Sequence, residues 1–161
     1  MTTKVKNLKD AELTALNKIA NNLFFSSDIQ DQIAETMHEK IISNVYNAFT
    51  PTEYERRGND DGFSDMNNMQ FTSVDVSNGT VRFVFENTTE GNDSMSGQEL
   101  TDMFETGKGK WDNPNVMDNQ GRINSSPRPF IDDTISELNQ NKAQLQEALK
   151  KDLAKLGFKV K

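Results

Sequence analysis

The sequence contains no cysteine, and this absence removes three kinds of chemistry. A disulfide framework, a thiolate nucleophile and a zinc–thiolate site all require cysteine side chains. The composition suits a reducing compartment, so we expect the chain in the cytoplasm of the cell that makes it.

Histidine is nearly absent as well, since His38 is the only one. A lone helical histidine without histidine or cysteine partners indicates neither a metal site nor a Ser-His-Asp arrangement. Glu35 lies three residues earlier on the same predicted helix, so a surface pair between Glu35 and His38 is the expected role.

Positive charge and long apolar runs are also scarce. The 25 acidic residues outnumber the 18 basic ones, which argues against a nucleic-acid-binding surface because neutralising phosphates requires clustered lysine and arginine. No apolar stretch approaches the length needed to cross a bilayer, and the N-terminus lacks the apolar segment of a signal peptide. We therefore expect neither sequence-specific nucleic-acid binding nor membrane association.

The C-terminus is the exception to the acidic balance. Between Lys150 and Lys161, five lysines accompany a single acidic residue, Asp152. Cations near the C-terminal end of a helix interact favourably with the helix dipole, and a contact with phosphate is the alternative. The sequence is compatible with both.

The length of 161 residues and the hydrophobic content of 34% set the scale of the fold. They suit one domain, 1–161, whose small core is shared among few elements and gains from burial against neighbouring chains. Within it we expect a peripheral N-terminal helix (1–26), a long polar loop (108–127) and a basic tail (157–161).

Helical periodicity dominates the N-terminal part. Apolar residues recur on one face between Asn7 and Phe25, and a second row follows a cap at Ser27 or Asp28. Pro51 ends this second helix, because a proline disfavours helical geometry in the residue before it. The second row consists of Ile29, Ile33, Met37, Ile41 and Val45.

The period then changes from helix to strand over residues 71–87, FTSVDVSNGTVRFVFEN. Asn78 and Gly79 are the pair that a two-residue type I′ turn requires, because both central positions have positive φ. A hairpin alone is marginally stable, so it needs further strands, for instance from 108–125, or a strand from a neighbouring subunit, which indicates a ring. The predicted cross-strand pairs are Val74 with Phe83, Thr72 with Phe85, and Asp75 with Arg82 as an ion pair.

Two further helices follow the hairpin. A short one around Leu100 ends at Gly107, and the segment after Arg128 carries a near-heptad apolar stripe that predicts one long helix ended by Gly157. We therefore predict an α+β fold with N-terminal helices, a small antiparallel sheet built on the 71–86 hairpin, and a long C-terminal helix packed on the sheet. The stripe consists of Ile131, Ile135, Leu138, Leu145, Leu149 and Leu156, with Lys142 at one expected apolar position.

The acidic segment after Arg57 invites a calcium-site interpretation. Aligning Gly62 with the glycine of an EF-hand loop puts Arg57 at the first ligand position and Asn68 where a glutamate belongs, so the motif fails at both ends. We expect no metal ion and no cofactor.

Carboxylates could also act as acids and bases. Asp132 and Asp133 fall in the first turn of the C-terminal helix, where negative charge is favoured, so they need no catalytic explanation. A hydrolase that uses the loop is a rival hypothesis for which the sequence indicates no substrate. Its candidate residues are Asp60, Asp61 and Asp65.

Two blocks of aromatic, arginine and turn residues stand out. The first is Val45-Tyr46, Pro51, Tyr54, Arg56-Arg57, Gly62-Phe63, Asp65 and Asn67-Asn68, and the second is Gly107, Trp111 and Arg128-Pro129-Phe130. Together and in this order they resemble a signature of small minor structural proteins from tailed bacteriophages of Gram-positive hosts. In the wider neck and tail-completion family an Arg-Pro-Phe also opens the last helix. One departure is visible, since the usual Gly-Gly is Asp61-Gly62 here.

The resemblance implies a virion assembly protein at the joint between head and tail, of the neck or tail-completion type and without catalytic activity. It implies portal, adaptor or tail-tube proteins as partners besides further copies of the chain, and a place in the virion neck or tail after assembly in the host cytoplasm. The candidates for protein interaction or loop anchoring are Tyr54, Arg56, Arg57, Phe63, Trp111, Arg128 and Phe130.

The physical chemistry of aromatic and arginine side chains predicts roles for some of these residues. Tyr54 and Phe63 bury aromatic area if the loop folds back onto the helices. We expect Arg56 and Arg57 to bridge to acidic groups, one within the chain and one between subunits. An alternative of a different class is a cytosolic helical binding or regulatory module that dimerises through the 131–156 stripe.

Overall fold

A computed structural model describes residues 7–25, 27–48, 60–90, 97–107 and 127–160. Its main elements are α1 (Leu8–Phe25), α2 (Asp28–Lys40), β1 (Met69–Ser77), β2 (Thr80–Asn87), α3 (Gly97–Thr106), α4 (Phe130–Gln140) and α5 (Lys142–Lys155). A π-helical turn, Ile41–Tyr46, continues α2, and a 3-10 turn, Met66–Asn68, precedes β1. These helices and the two-stranded sheet confirm the α+β class predicted from the sequence.

The chain divides into two compact units, each assembled from segments that are distant in sequence. The first comprises Met1–Gln32, Phe71–Glu86 and Ala143–Lys161, and the second comprises Ile33–Gln70 and Asn87–Lys142. Most of the hairpin and the helical residues after Lys142 therefore belong to the same unit. None of the described helices is both long and apolar enough to span a bilayer.

Polar side chains cap the N-termini of the first two helices. The side-chain oxygen of Asn7 accepts a hydrogen bond from the Asp10 nitrogen at 2.9 Å. The Ser27 hydroxyl accepts one from the Gln30 nitrogen at 3.2 Å. Of the two predicted caps, Ser27 thus fills the role, because its hydroxyl satisfies an N–H of the first turn that has no partner within the helix.

The apolar row of α2 runs on into the π-helical turn. Met37, Ile41 and Val45 are buried, as their spacing of four residues predicts. The Asn47 nitrogen bonds to the Ile42 oxygen at 2.9 Å, the five-residue spacing that widens a π turn by one residue. Two polar side chains of this turn take part in the site described below.

The hairpin turn has the predicted conformation. Asn78 has φ 51 and Gly79 has φ 74, which confirms positive φ at both central positions of the two-residue turn. The predicted ion pair across the strands is absent, because Asp75 accepts a hydrogen bond from Ser77 Oγ at 2.6 Å. Arg82 makes no ion pair or side-chain hydrogen bond with any residue in the described ranges.

The register changes along the hairpin. Toward the turn, Val74 and Val76 are half-buried and Asp75 between them is exposed. Toward the open end of the hairpin, the odd-numbered Met69 and Phe71 are buried and Gln70 between them is exposed. The Thr72 hydroxyl donates to the Glu86 carboxylate instead of facing Phe85. Since β1 has 9 residues and β2 has 8, we infer a β-bulge near Thr72 that inserts one extra residue and displaces the predicted Thr72–Phe85 pair.

Aromatic packing holds the open end of the hairpin. The ring of Phe71 lies 4.6 Å from that of Phe83 and 5.6 Å from that of Phe85, measured between centroids. The backbone N–H of Phe71 donates to the Gln30 side chain of α2 at 3.2 Å. These contacts fasten β1 within the first unit.

The C-terminal stripe forms two helices instead of one long helix. Asn141 stands between α4 and α5 with φ −102 and ψ 31. The segment 139–142 has no apolar side chain that packing could hold, and asparagine side chains compete with the helical backbone for hydrogen bonds. The end beyond α5 is as predicted, since Gly157 has φ 85 and its nitrogen bonds to the Ala154 oxygen at 2.9 Å.

Candidate functional site

The turn over residues 60–68, hereafter the 60–68 turn, is organised around one carboxylate. Asp65 Oδ2 accepts from the Asp61 nitrogen at 3.0 Å, and Asp65 Oδ1 accepts from both the backbone and side-chain nitrogens of Asn67 at 2.9 Å. The Asn67 N–H, followed by the Asp61 N–H, lowers the pKa of the Asp65 carboxyl below its ordinary value. A carboxylate stabilised in this way is a weak base.

Asp61 occupies the position at which the resembling phage proteins usually have the first glycine of a pair. Its φ is 55, in the left-handed region that glycine adopts without cost and that aspartate and asparagine tolerate better than other residues. Asp61 therefore adopts a backbone conformation that a glycine at this position would also adopt.

Side chains from outside the turn bind its carbonyl oxygens. All three donors belong to the second compact unit, and one of them is the single histidine. An ion pair between His38 and Glu35 is not found in the part of the chain that the structure describes. The bonds are His38 Nδ1 to Ser64 O at 2.7 Å, Asn87 Nδ2 to Phe63 O at 2.8 Å, and Thr89 Oγ1 to Gly62 O at 3.1 Å.

The 60–68 turn is also anchored by an aromatic cluster consisting of Phe63, Phe104 and Phe130. The Phe63 ring lies 5.1 Å from the Phe104 ring and 5.2 Å from the Phe130 ring, and the second pair is nearly perpendicular at 86°. Edge-to-face packing at this distance is favourable beyond the burial of area. Phe63 and Phe130 are both buried, so the cluster fixes the turn against α3 and α4.

The N-terminus of α4 is capped by a side chain from α3. Glu105 Oε1 accepts from the backbone nitrogens of Phe130 at 2.8 Å and Ile131 at 2.7 Å. Pro129 lies at the cap position and offers no side-chain hydrogen bond. A carboxylate placed there satisfies two N–H groups and interacts favourably with the helix dipole.

The π-helical turn contributes two further contacts. Asn44 Nδ2 donates to the Pro129 oxygen at 2.9 Å and to Asp133 Oδ2 at 2.7 Å. The Ser64 nitrogen donates to the Tyr46 hydroxyl at 3.3 Å. Val45-Tyr46 of the first sequence block and Arg128-Pro129-Phe130 of the second therefore lie in the same compact unit.

An ion pair joins α2 to α4 beside this region. Lys40 Nζ contacts Glu137 Oε2, and the hydrogen bond to Glu137 is the main reason that the pKa of Lys40 is raised. Both side chains are partly exposed, so the pair is a modest contribution to stability.

Three of the sequence-predicted site residues come together here. Phe63, Arg128 and Phe130 are buried, and the Arg128 nitrogen donates to the Phe104 oxygen at 2.7 Å. Their placement favours loop anchoring over direct contact with a partner. The other four, Tyr54, Arg56, Arg57 and Trp111, lie outside the described residues.

Sequence reasoning missed Glu105, Asn44 and the bond of His38 to Ser64. The capping role of Glu105 depends on a helix that begins 25 residues later, and no local pattern signals such a distant partner. Asn44 sits on the polar side of an apolar row, where an asparagine is ordinary. Among the described residues, no group of three or more histidine, cysteine, aspartate or glutamate side chains is arranged to hold a metal ion.

Comparison with known proteins identifies relatives of this chain. The YomN family matches residues 4–155. The chain belongs to the YomN family. Among the relatives in this family, the SPbeta prophage-derived protein YomN of Bacillus subtilis (strain 168) is 30% identical over 161 residues, which cover 99% of this chain and 99% of the relative. No solved structure matches. The association with bacteriophage that the resemblance implied is thus supported at the level of the YomN family.

Proposed function

We propose that the chain is a structural protein of a bacteriophage particle that acts at the head–tail joint, in the neck or in tail completion, through contacts between proteins and without catalysis. The observation that carries the proposal is the similarity to a prophage-derived relative over 99% of both chains. Because the match runs from end to end, the similarity extends over the whole of both chains and is not confined to one short motif.

The arrangement of the described signature residues supports a structural role. Phe63 and Phe130 pack within the aromatic cluster, and Asp65 uses both carboxylate oxygens to close the 60–68 turn. The residues that the resemblance singles out are therefore used to shape and fasten a loop. Such a loop presents a fixed surface, which is what a protein joining two assemblies requires.

The proposal includes partners and a location. Copies of the chain form a homo-oligomer, in a ring, that contacts portal, adaptor or tail-tube proteins in the virion neck or tail. The net charge of −7 suits a component beside packaged DNA, because a negative surface does not retain the passing strand. It equally favours solubility in the host cytoplasm before assembly.

Deletion of the coding sequence from a phage or inducible prophage tests the function. We expect filled heads and separate tails in electron micrographs of the lysate, loss of infectious particles, and recovery of both defects when the chain is supplied from a plasmid. Supplied as Phe63→Ala, it should restore far fewer particles than when supplied as Phe25→Ala, a matched change at a side chain that is 79% exposed. Normal joined particles from the deletion would refute the proposal.

The alternative, a helical module dimerising through the 131–156 stripe, receives less support. A coiled coil needs a continuous heptad seam, whereas Asn141 separates α4 from α5. A dimer that depends on Ile135 and Leu138 would nevertheless favour this alternative over the phage role.

A further inference from the structure

The β2 strand has the features of an unprotected sheet edge. Within the described residues the sheet has two strands, so each strand has one edge that the other does not cover. On β1, the outward N–H of Phe71 is taken by Gln30. On β2, no backbone hydrogen bond to a residue outside the hairpin is found between Thr80 and Asn87 among the described residues.

Edge strands of this length normally carry protection. Natural sheets blunt their edges with proline, lysine, bulges or very short strands. The β2 sequence, TVRFVFEN, has 8 residues and contains neither proline nor lysine. Val84, near the middle of β2, is 49% exposed. The strand therefore presents an apolar side chain to solvent.

The turn type determines which amides point away from β1. In a hairpin with a two-residue turn, the residues that flank the turn exchange both hydrogen bonds, and alternate residues then point outward. On β2 the outward-pointing set is Val81, Phe83 and Phe85. Arg82, Val84 and Glu86 direct their backbone groups toward β1 and their side chains to the exposed face.

The residues around Val84 are self-complementary. Reading outward from Val84 in both directions, phenylalanine stands on each side, followed by Arg82 on one side and Glu86 on the other. We propose that two copies of this chain pair antiparallel along β2, with Val84 opposite Val84 of the second copy and Arg82 opposite its Glu86.

This register satisfies backbone and side chains together. Phe83 lies opposite Phe85 of the second copy, and both belong to the outward-pointing set, so they form the hydrogen-bonded pairs. Arg82 and Glu86 then occupy non-hydrogen-bonded pairs, in which opposing side chains are closest. Arg82, which lacks an ion-pair partner among the described residues, gains one. Glu86 can still accept from Thr72, because a carboxylate has several acceptor positions.

Other registers lose the pairing of Arg82 with Glu86. Sliding one copy by two residues moves the two-fold axis to Phe83 or Phe85 and places Val84 opposite Arg82 or Glu86. Sliding it by four residues brings Arg82 against Arg82 in one direction and Glu86 against Glu86 in the other. Like charges directly opposite each other destabilise strand pairing. The alignment centred on Val84 is thus the one that places Arg82 and Glu86 opposite each other.

Charge swaps on the full chain test this pairing by sedimentation velocity over a range of concentrations. We expect the unmodified chain to show a monomer–dimer equilibrium. Arg82→Glu and Glu86→Arg should each weaken it by at least about tenfold, since each change acts twice across a two-fold interface. The double variant Arg82→Glu with Glu86→Arg should restore dimerisation. Glu35→Lys, a charge reversal at an exposed residue of α2, is the control and should leave it unchanged.

Circular dichroism melts of each variant establish that the chain is folded before its mass is compared. A chain that remains monomeric at all concentrations would overturn the pairing, as would single variants with undiminished association or a double variant that fails to recover. The inference concerns the free chain and does not rest on the head–tail role, so either can fail without the other.

Discussion

Asp152 Oδ2 accepts a hydrogen bond from the backbone nitrogen of Ile29 at 3.0 Å, across 123 residues of sequence. Its Oδ1 accepts a second from the Asp28 nitrogen at 2.9 Å. The carboxylate of α5 thus caps the N-terminus of α2, as Glu105 of α3 caps α4. In both places a carboxylate on one helix is stabilised by the N-terminal N–H groups and the dipole of another helix.

Replacing Asp152 by asparagine should destabilise the protein by about 1 to 3 kcal/mol, because the amide group cannot accept from both nitrogens and its own N–H groups meet those of α2. Urea denaturation near neutral pH measures the change. Glu147→Gln on the exposed side of the same helix, where Glu147 pairs with Lys150, is the control and should change stability by less than about 0.5 kcal/mol. Equal midpoints for the two variants would contradict the capping role.

The Asp65 carboxyl should make folding stability depend on acid pH. Because its pKa is lowered in the folded chain, its contribution is fully present above the unfolded pKa of about 4 and is lost as pH falls through the folded pKa. Asp65→Asn should therefore be less stable than the unmodified chain near neutral pH, and the difference should shrink in acid.

Thermal melts between neutral and acid pH measure that difference for Asp65→Asn. Asp60→Asn, a change at an exposed neighbour, serves as the control and should lie close to the unmodified chain throughout. A difference for Asp65→Asn that is constant with pH would show that shape, and not charge, explains the loss.

Asp61 should tolerate glycine and reject β-branched residues. With φ at 55, a valine costs about 1 to 2 kcal/mol in strain, whereas glycine removes the Cβ that causes it. Glycine forfeits the long contact at 3.3 Å that Asn68 donates to the Asp61 side chain. We expect melting temperatures in the order glycine at or above aspartate, and both above valine. Equal melting temperatures for the valine and glycine variants would contradict the left-handed conformation at position 61.

Gly97 should not accept alanine, although it begins a helix that alanine would favour. A Cβ at this position would stand 2.1 Å from the Thr89 carbonyl oxygen, and backbone cannot yield as a flexible side chain does. We expect Gly97→Ala to destabilise by more than the roughly 1 kcal/mol that helix propensity returns. Chemical denaturation compares it with Gln98→Ala, an exposed change in the same turn that should be nearly neutral.

Local conformation was predictable where a turn pair, a helix-ending glycine or a regular apolar period determines it, but the break at Asn141 was not foreseen. Asn78-Gly79 specifies the hairpin turn because few other pairs adopt positive φ twice, and Gly107 and Gly157 end helices for the same steric reason. The burial of Met37, Ile41 and Val45 followed from their period. The resemblance in the two blocks likewise led to a phage family, because it rests on residues in order along the chain.

Only the tertiary structure decided how distant segments satisfy one another. Asp152 at α2, Glu105 at α4 and His38 at the 60–68 turn each meet a backbone group supplied by a remote part of the chain. Turn and helix signals act over a few residues, whereas a buried polar group takes its partner from whatever the completed packing places beside it. The same reason explains the bulge near Thr72, since an extra residue in a strand is visible only against the strand it pairs with.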